Sequence, residues 1–225
     1  MTAIIDIVDD DEAIRDSLAF LLASRGLGTR VWHSGEAFLA AQPLAHGACI
    51  ILDVRMGGLS GPEMFQRLRA TGSRVPVIFL TGHADVAVAV QTLKAGAFDF
   101  LEKPFNDNQI VDLALNAIAA HRAAEVEAAL RRDISARRAT LSAREQEVMA
   151  LMLSGAPNKQ IADALNIAMR TVEAHRGKVL SKMGARNGIE LAALLAAEMR
   201  EPTTGPAPAP AAPAPGAPAR DRGPG

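Results

Sequence analysis

Short apolar runs alternate with amphipathic stretches along the first 120 residues of the chain. The apolar runs lie at residues 3–8, 28–32, 48–52, 75–80 and 97–101. Stretches with helical periodicity follow them at residues 12–25, 35–41, 61–70, 84–95 and 107–120. Five strand–helix repeats predict a parallel sheet with helices on both faces. The middle runs are apolar throughout, which is typical of strands that are buried on both sides.

Beyond residue 140 the strand pattern disappears and helical periodicity takes over. The stretch LSAREQEVMALMLSG opens with Ser142 and Glu145 at capping-box spacing and closes at Gly155, which favours a helix between them. Asn158 is a candidate N-cap for the next helix, and two more amphipathic stretches follow it. We therefore predict an α/β first domain and an all-α domain of four short helices over residues 140–200.

Two further segments contribute no core of their own. Residues 121–139 have no broad apolar face, and we expect them to form a helical linker that extends the last helix of the first domain. Residues 201–225 are dominated by Pro, Ala and Gly, which predicts a disordered tail that is partly polyproline II. A passive solvated tail is favoured over a docking segment.

Composition and charge narrow the class of protein. The 225 residues are 49% hydrophobic and 22% charged, and no apolar run reaches the roughly 18 residues of a membrane-spanning helix. The N-terminus lacks a signal-peptide pattern, so we expect a cytoplasmic protein. The single cysteine, Cys49, excludes an internal disulfide and is expected to be a small buried residue. Residues 1–120 carry nine basic and fourteen acidic side chains, whereas residues 140–200 carry eight and six, which suggests two modules.

Polar residues at the ends of the predicted strands are candidates for one shared site. Asp9 and Asp10 follow the first strand, Asp53 the third, Thr81 the fourth and Lys103 the fifth. Ligands of an open parallel sheet bind outside the carboxyl ends of its strands. We therefore expect these five residues to converge, although they are far apart in the sequence.

The chemistry of this set is consistent with phosphoryl transfer. Three carboxylates predict a site for Mg²⁺, which takes oxygen ligands and would offset the repulsion among the acids. Asp53 is the candidate nucleophile toward phosphorus, and its attack would form an acyl phosphate. Mg²⁺ and Lys103 would stabilise charge on the phosphoryl oxygens, and the Thr81 hydroxyl would donate a hydrogen bond to one of them. Taken singly these residues have ordinary explanations, because Asp11 and Glu12 are expected to cap a helix and a lone lysine is usually solvated.

Residues 1–120 resemble the receiver domain of two-component response regulators. The resemblance rests on the Asp9–Asp10 pair, Asp53, Thr81 in LTGHAD and Lys103 in KPF, in this order along the chain. It implies a flavodoxin-like (βα)5 fold and phosphorylation of Asp53 by a sensor histidine kinase. It also implies that Asp9, Asp10 and Asp53 bind Mg²⁺.

Two more positions bear on this resemblance. Phe100 lies three residues before Lys103 and matches the aromatic switch position of receivers; the alternative is an ordinary core residue. Gly57, in RMGGLSG, stands where such receivers often have the proline of Met-Pro-Gly. We expect this replacement to loosen the loop before Gly58.

Residues 141–187 resemble the helix-turn-helix of NarL/FixJ (LuxR-type) regulators, which implies that residues 169–183 form a recognition helix in the major groove. Two features depart from the family pattern. Ala168–Met169 stand where relatives commonly have Ser-Pro, and a lost capping oxygen costs about 0.5–2 kcal/mol. Gly177 in mid-helix costs about 1 kcal/mol relative to alanine. This glycine either permits close approach to DNA or leaves a helix that becomes firm only when bound.

The resemblance also implies which side chains contact DNA. We expect the face away from the core to consist of Arg170, Thr171, Glu173, His175, Arg176 and Lys178. Arg176 is the predicted base contact, since arginine can bind guanine through two hydrogen bonds. Lys159, Lys182 and Arg186 are expected to contact phosphate. The alternative for all of these residues is a solvated charged face.

The two resemblances together imply a DNA-binding transcription regulator and not an enzyme. Phosphorylation of Asp53 is expected to shift the receiver toward a form that dimerises through its fourth helix and fifth strand, over residues 85–100. The implied partners are a sensor histidine kinase, double-stranded DNA, a second copy of the chain and RNA polymerase, with no membrane partner.

Two other classes of protein are weaker readings of the same residues. A Mg²⁺-dependent phosphatase would need an acid/base group near the nucleophile, but Val54 and Arg55 follow Asp53 and no cap insertion is visible. A nucleotide or flavin module would need a glycine-rich phosphate loop after the first strand, and the sequence has acids there.

Overall fold

A computed structural model describes residues 3–41, 47–82 and 86–199. Its first half alternates strands and helices in this order: β1 (Ile4–Val8), α1 (Glu12–Ser24), β2 (Gly28–Trp32), α2 (Gly35–Ala40), β3 (Cys49–Asp53), α3 (Gly61–Ala70), β4 (Val77–Thr81), α4 (Val86–Lys94), β5 (Asp99–Glu102) and α5 (Asp107–Ala139). Four more helices follow: α6 (Ala143–Leu153), α7 (Asn158–Leu165), α8 (Met169–Met183) and α9 (Gly188–Met199). The predicted tail at 201–225 and the start of the predicted helix at 84–95 lie outside the described residues.

The five strands form one parallel sheet in the order β2-β1-β3-β4-β5. Together with the C-terminal helices this confirms the predicted fold class, a flavodoxin-like receiver fold followed by an all-α domain. The strand order reverses between β1 and β3, and in doubly wound sheets the crevice at such a point is where ligands bind. The residues that leave the carboxyl ends of β1 and β3 therefore decide what this sheet can do.

Two apolar layers cover the two faces of the sheet. One layer contains Phe38, Met64 and Phe65 from α2 and α3, and the other contains Leu22 from α1 and Ile110 from α5. All residues of β3 and β4 are buried, as the apolar runs in the sequence predict, and the burial includes the polar residues that end the two strands, Asp53 and Thr81. The burial of these two strands fixes the position of their carboxyl ends.

A charged cluster interrupts one apolar layer. Asp6 in β1 is only 1% exposed, and its carboxylate accepts two hydrogen bonds from Arg30 of β2, both at 2.8 Å. The indole nitrogen of Trp32 donates a third hydrogen bond to Asp6 at 3.0 Å. A buried carboxylate is tolerated when it is paired and hydrogen-bonded, so this cluster ties β1 to β2.

Helix α5 runs without a break from the sheet into the C-terminal helices. It begins with a capping box formed by Asn106 and Gln109, and its first turns pack on the sheet through Ile110 and Val111. Near its other end, Ile134 is buried in the core of the C-terminal helices. Residues 121–139 are thus helical, and the C-terminal core begins before residue 140.

The helices α6–α9 pack around a core of their own that includes Val148, Ile161, Val172 and Val179. The predicted capping box of Ser142 and Glu145 is present at the start of α6. The residue that caps α7 is Pro157 and not Asn158, which is instead the first residue of the helix. In the part of the chain that the structure describes, no helix is both long and apolar enough to span a membrane.

Replacing Arg30 by methionine should destabilise the first domain by about 2–4 kcal/mol, because the buried Asp6 carboxylate would lose its cation. Urea unfolding followed by the fluorescence of Trp32, the one tryptophan of the chain, measures this domain specifically. Arg25→Met is the control, because Arg25 only donates to Asn108 at the surface. Equal midpoints for the two variants would contradict the importance of the Asp6–Arg30 pair.

Candidate functional site

Three charged side chains meet where the carboxyl ends of β1, β3 and β5 lie together. Asp9 directly follows β1, Asp53 is the last residue of β3, and Lys103 directly follows β5. The Lys103 ammonium donates to Asp9 at 2.8 Å and to Asp53 at 2.6 Å. Asp9 is 1% exposed and Asp53 is 7% exposed, so this lysine bridges two carboxylates that are almost removed from water.

Burial shifts the protonation of this cluster. Burial raises the pKa of Asp53, and the charge of Asp9 adds to the rise, while the hydrogen bonds from Lys103 and from the Arg55 amide oppose it. For Lys103, burial alone would lower the pKa, but the hydrogen bonds to Asp53 and Asp9 more than offset this effect and raise it. The lysine is therefore held as a cation beside the carboxylate that is the candidate nucleophile.

The structure brings Thr81 to the same edge of the sheet. Phe100 lies on β5, two residues before the residue that pairs with Thr81. Thr81 is the buried last residue of β4, and its backbone carbonyl accepts a hydrogen bond from the Lys103 amide at 2.8 Å. Phe100 in β5 pairs in register with Phe79 and is half-buried against the apolar layer. Both residues thus lie on the two strands that lead away from Asp53.

The loop from β3 to α3 is held by three of its backbone amides. The Arg55 amide donates to Asp53 at 2.7 Å, the Gly57 amide to Asp10 at 2.9 Å, and the Leu59 amide to Glu36 of α2 at 2.7 Å. A proline at position 57 has no N–H and could not make the bond to Asp10. The expectation that Gly57 loosens this loop therefore overlooked a hydrogen bond that only a non-proline residue can supply.

A second glycine allows α3 to start directly behind Asp53. A Cβ atom on Gly61 would overlap the backbone carbonyl oxygen of Asp53, and the Gly61 amide donates to the Val54 carbonyl at 3.1 Å. Any other residue at position 61 would push the helix away from the strand end. The position of the Asp53 backbone therefore depends on this close approach.

Asp9, Asp10 and Asp53 have the donor chemistry of a magnesium site, since all three supply carboxylate oxygens. Among residues 3–41, 47–82 and 86–199, however, no three His, Cys, Asp or Glu side chains are grouped closely enough to share a metal ion. Asp10 is turned to the Gly57 amide, and the Lys103 ammonium lies between the other two acids. The three acids thus have the ligand type that Mg²⁺ prefers but do not converge on one position, and Lys103 balances the charge of Asp9 and Asp53.

Helix α8 covers the range predicted for the recognition helix, but two of its residues face inward. Its buried residues are Val172, Val179 and Met183. His175 and Arg176 lie within one helical turn of Val172 and Val179 and are half-buried. The expectation that both face away from the core is wrong, because helical spacing puts them on the side of Val172 and Val179; their predicted contacts with DNA stay predictions.

The other predicted contacts on α8 are exposed. Arg170, Thr171, Glu173 and Lys178 are open to solvent. Gly177 lies on the same outer side, and a Cβ atom added there would contact nothing within 4 Å. The protein's own packing therefore does not require a glycine at this position.

The three predicted phosphate contacts differ in their surroundings. Lys159 in α7 is exposed. Arg186 is also exposed, and its guanidinium pairs with Glu190 at 3.0 Å. The Lys182 ammonium, by contrast, is bonded to Glu145 at 2.6 Å and to the Thr140 carbonyl at 3.0 Å. The Lys182 side chain is 38% exposed, but its ammonium is occupied by these two acceptors, which favours a role within the protein over a phosphate contact.

Sequence reasoning missed several residues that shape these sites. Glu36 and Gly61 do not follow a strand directly, which was the criterion for predicting site residues, because they lie in α2 and at the start of α3. Glu145 was predicted only as a helix cap, yet it also pairs with Lys182. Arg137, in the predicted linker, donates to the Met183 carbonyl at the end of α8. The partners of Glu145 and Arg137 lie 37 and 46 residues further along the chain, so no local pattern reveals them.

Two protein-family models match the chain and divide it in the same way as the fold. Residues 5–115 match the response regulator receiver domain. Residues 139–195 match the bacterial regulatory proteins of the luxR family, which bind DNA. The first match covers the sheet with its Asp9–Asp53–Lys103 cluster, and the second covers α6–α8 and most of α9.

Curated relatives match over nearly their whole length. The C4-dicarboxylate transport transcriptional regulatory protein DctR of Rhodobacter capsulatus is 63% identical over 194 residues, which are 85% of this chain and 98% of that protein. The transcriptional regulatory protein FixJ of Bradyrhizobium diazoefficiens is 44% identical over 188 residues, which are 84% of this chain and 92% of that protein.

Solved structures agree with this grouping. The response regulator StyR superposes with a TM-score of 0.79 at 33% identity and covers 87% of this chain and 99% of its own. Full-length FixJ from B. japonicum superposes with a TM-score of 0.58 at 43% identity and covers 88% of this chain and 98% of its own. The chain therefore belongs to the NarL/FixJ family of two-component response regulators, and it is a DNA-binding transcription regulator with a receiver domain rather than an enzyme.

Proposed function

We propose that phosphorylation of Asp53 by a sensor histidine kinase controls binding of operator DNA by α8. The observation that supports this proposal is the bridge from Lys103 to Asp9 and Asp53, in which a cation lies beside Asp53, the proposed acceptor, at the carboxyl ends of the strands. We assign residues 1–120 to the receiver, 121–139 to the helical linker, 140–200 to the DNA-binding domain and 201–225 to the tail.

The phosphoryl transfer follows from this geometry. An oxygen of the Asp53 carboxylate attacks the phosphorus of a phosphohistidine, the P–N bond breaks, and an acyl phosphate forms. Lys103 and the Arg55 amide each contact one oxygen of Asp53, so both donors lie next to the position that the phosphoryl oxygens would take, and Lys103 would stabilise the charge on those oxygens. Asp9, Asp10 and Asp53 would hold Mg²⁺, which supplies further positive charge to the phosphoryl oxygens.

The new charge changes the balance around Lys103. A phosphoryl group on Asp53 adds oxygens that compete with the two carboxylates for the lysine and can accept a hydrogen bond from the Thr81 hydroxyl. Thr81 and Phe100 lie on the neighbouring strands β4 and β5, so a shift of either side chain alters the face formed by α4 and β5. We propose that this face then pairs with a second copy of the chain. Phosphorylation would have to favour the active form by about 5.5 kcal/mol to change the ratio of active to inactive molecules from 1:99 to 99:1. We therefore expect a partial shift of this equilibrium.

The outer side of α8 is the proposed DNA-reading surface. Its exposed residues are Arg170, Thr171, Glu173, Gly177 and Lys178, and Arg170 lies about two helical turns before Gly177. A dimer would place two such helices on half-sites about one turn of DNA apart. Exposed Lys159 is the proposed phosphate contact, and Arg186 contributes only if it leaves Glu190.

The relatives suggest where to look for target genes. Since DctR is 63% identical over 98% of its length, promoters of C4-dicarboxylate transport genes are the first DNA to test. RNA polymerase is the proposed partner at such promoters, and the proposed location is the cytoplasm.

Replacing Asp53 by asparagine should abolish transfer of label from acetyl phosphate, because an amide oxygen is too weak a nucleophile to form the acyl phosphate. The label is transferred with Mg²⁺ present and then measured on the chain by electrophoresis in an acidic gel, in which the acyl phosphate survives. Asp16→Asn, an exposed acid of α1, is the control and should be labelled like the unaltered protein. Undiminished labelling of the Asp53 variant would remove this residue as the acceptor, and rapid turnover of small phosphate esters would favour the phosphatase reading.

Replacing Arg170 by alanine should lower affinity for a selected operator by about 1–3 kcal/mol and relax its base preference, because Arg170 lies on the exposed side of α8. The operator would be selected from random DNA with the phosphorylated chain. Arg176→Ala provides the comparison on the inner side, and we expect it to lower the melting temperature more than the base preference. An Arg170 variant with an unaltered base preference would count against this surface.

Replacing Gly177 by alanine should stabilise the C-terminal domain by about 0.5–1 kcal/mol, since the added Cβ meets no other atom of the protein. The same methyl group should weaken operator binding, because it would stand between α8 and the floor of the groove. Thermal unfolding and a binding titration on one preparation measure both effects. A variant that is more stable and binds equally well would show that DNA does not approach this position closely.

A further inference from the structure

The carboxyl-terminal turn of α8 is bonded to the corner where α5 ends and α6 begins. The Lys182 ammonium lies in this turn and donates to the Glu145 carboxylate at 2.6 Å and to the Thr140 backbone carbonyl at 3.0 Å. The next residue, Met183, has a backbone carbonyl that accepts a hydrogen bond from Arg137 at 3.1 Å. Two successive residues of α8 are therefore held by polar bonds to the same corner.

Glu145 is well suited to anchor a cation. Its side chain is only 6% exposed, and its carboxylate also accepts the Ser142 backbone amide at 2.8 Å. The hydrogen bond from Lys182 is the main reason that the pKa of Glu145 falls to about 2. The acid is thus charged throughout the physiological pH range, and removing its lysine would leave a buried carboxylate without its ion-pair partner.

The neighbouring glycine makes room for the second bond. Gly184 ends α8 with φ at +70°, and a Cβ atom there would collide with the Arg137 guanidinium. Arg137 also pairs with Asp133 at 2.8 Å, one turn earlier in α5. The guanidinium is therefore held on α5 by Asp133 and reaches the Met183 carbonyl past Gly184, which has no side chain.

We propose that this corner sets the direction of the recognition helix and that Lys182 is a positioning residue within it rather than a phosphate contact. The proposal rests on the DNA-binding function proposed above. Apolar contacts through Val172 and Val179 hold α8 against the core but are non-directional, whereas hydrogen bonds depend on angle as well as distance. The bonds at the carboxyl end thus fix where the amino-terminal half of α8, with Arg170, points.

Salt dependence separates a positioning lysine from a phosphate contact. Each lysine that neutralises a phosphate contributes about 0.9 to the slope of log affinity against log salt concentration. In the full chain with Asp53 phosphorylated, Lys182→Gln should leave this slope unchanged and lower the ratio of operator to random-DNA affinity by about threefold to thirtyfold. Lys178→Gln, an exposed lysine on the outer side of the same helix, is the matched control and should reduce the slope by about 1.

Glu145→Gln distinguishes the two roles of Lys182 most clearly, because they predict opposite changes in DNA affinity for this variant. It removes a negative charge from the DNA-binding domain, which by simple electrostatics would raise affinity for DNA, yet the proposal requires operator affinity to fall as it does in Lys182→Gln. The double variant should be no worse than either single variant, because both remove the same bond. Lys182→Arg, which keeps a donor and a positive charge, should restore most of the operator preference.

Each result decides between the two roles of Lys182. A slope reduced by about 1 in Lys182→Gln, or tighter operator binding by Glu145→Gln, would overturn the positioning role. Circular dichroism measures whether each variant is folded. If Lys182→Gln or Glu145→Gln alone is unfolded, the unaltered chain is compared instead with Lys182→Arg and with the double variant, which has lost both charges. If the unaltered chain shows no operator preference at any salt concentration, the DNA-binding proposal itself fails, which is a different outcome from a changed slope in the variants.

Discussion

Two carboxylates that are almost removed from water lie at the reversal point of the strand order, and their charge must be balanced. Asp9 leaves β1 and Asp53 ends β3, and the cation that balances both is Lys103, which leaves β5. These residues come from three strands of the order β2-β1-β3-β4-β5, so their ion pairs depend on how the sheet is assembled. A change of charge at Asp53 therefore alters the ion pairs of Lys103, the residue that directly follows β5. The coupling of chemistry to fold is thus a consequence of burying charge at this edge.

The loop beside Asp53 shows that two different devices can hold one backbone. Proline restricts a loop through its fixed φ but offers no hydrogen-bond donor. Gly57 gives up that restriction and instead donates its amide to Asp10, while the amides at 55 and 59 bond to Asp53 and Glu36. The loop is thus held by carboxylates from three segments of the chain. The conformation of this loop therefore depends on the charge of those three acids, whereas a proline would restrict the loop whatever their charge.

How far the sequence predicts this protein depends on the range of the interactions. The sheet and the convergence of Asp9, Asp53, Thr81 and Lys103 follow from alternation alone, because parallel strands present their carboxyl ends on one edge. The spacing of Val172 and Val179 also predicts that Arg176 lies on the inner side of α8. The charge of Arg176, considered alone, had indicated the outer side. The pairing of Lys182 with Glu145 could not be predicted, since it depends on how α6 and α8 pack. Residues that act through distant partners are thus the ones that local patterns misplace.

Helix α5 connects the receiver with the C-terminal helices. At about 1.5 Å per residue its 33 residues span about 50 Å, with Ile110 fixed in the receiver and Ile134 in the C-terminal core. Between these ends Val126 is 70% exposed, and local ion pairs such as Glu127–Arg131 contribute to the helix there. Since a helix with exposed apolar residues gains little from packing, this middle section is the part of α5 that opens most readily. The receiver core and the C-terminal core are therefore joined by one helix whose least packed section lies between them.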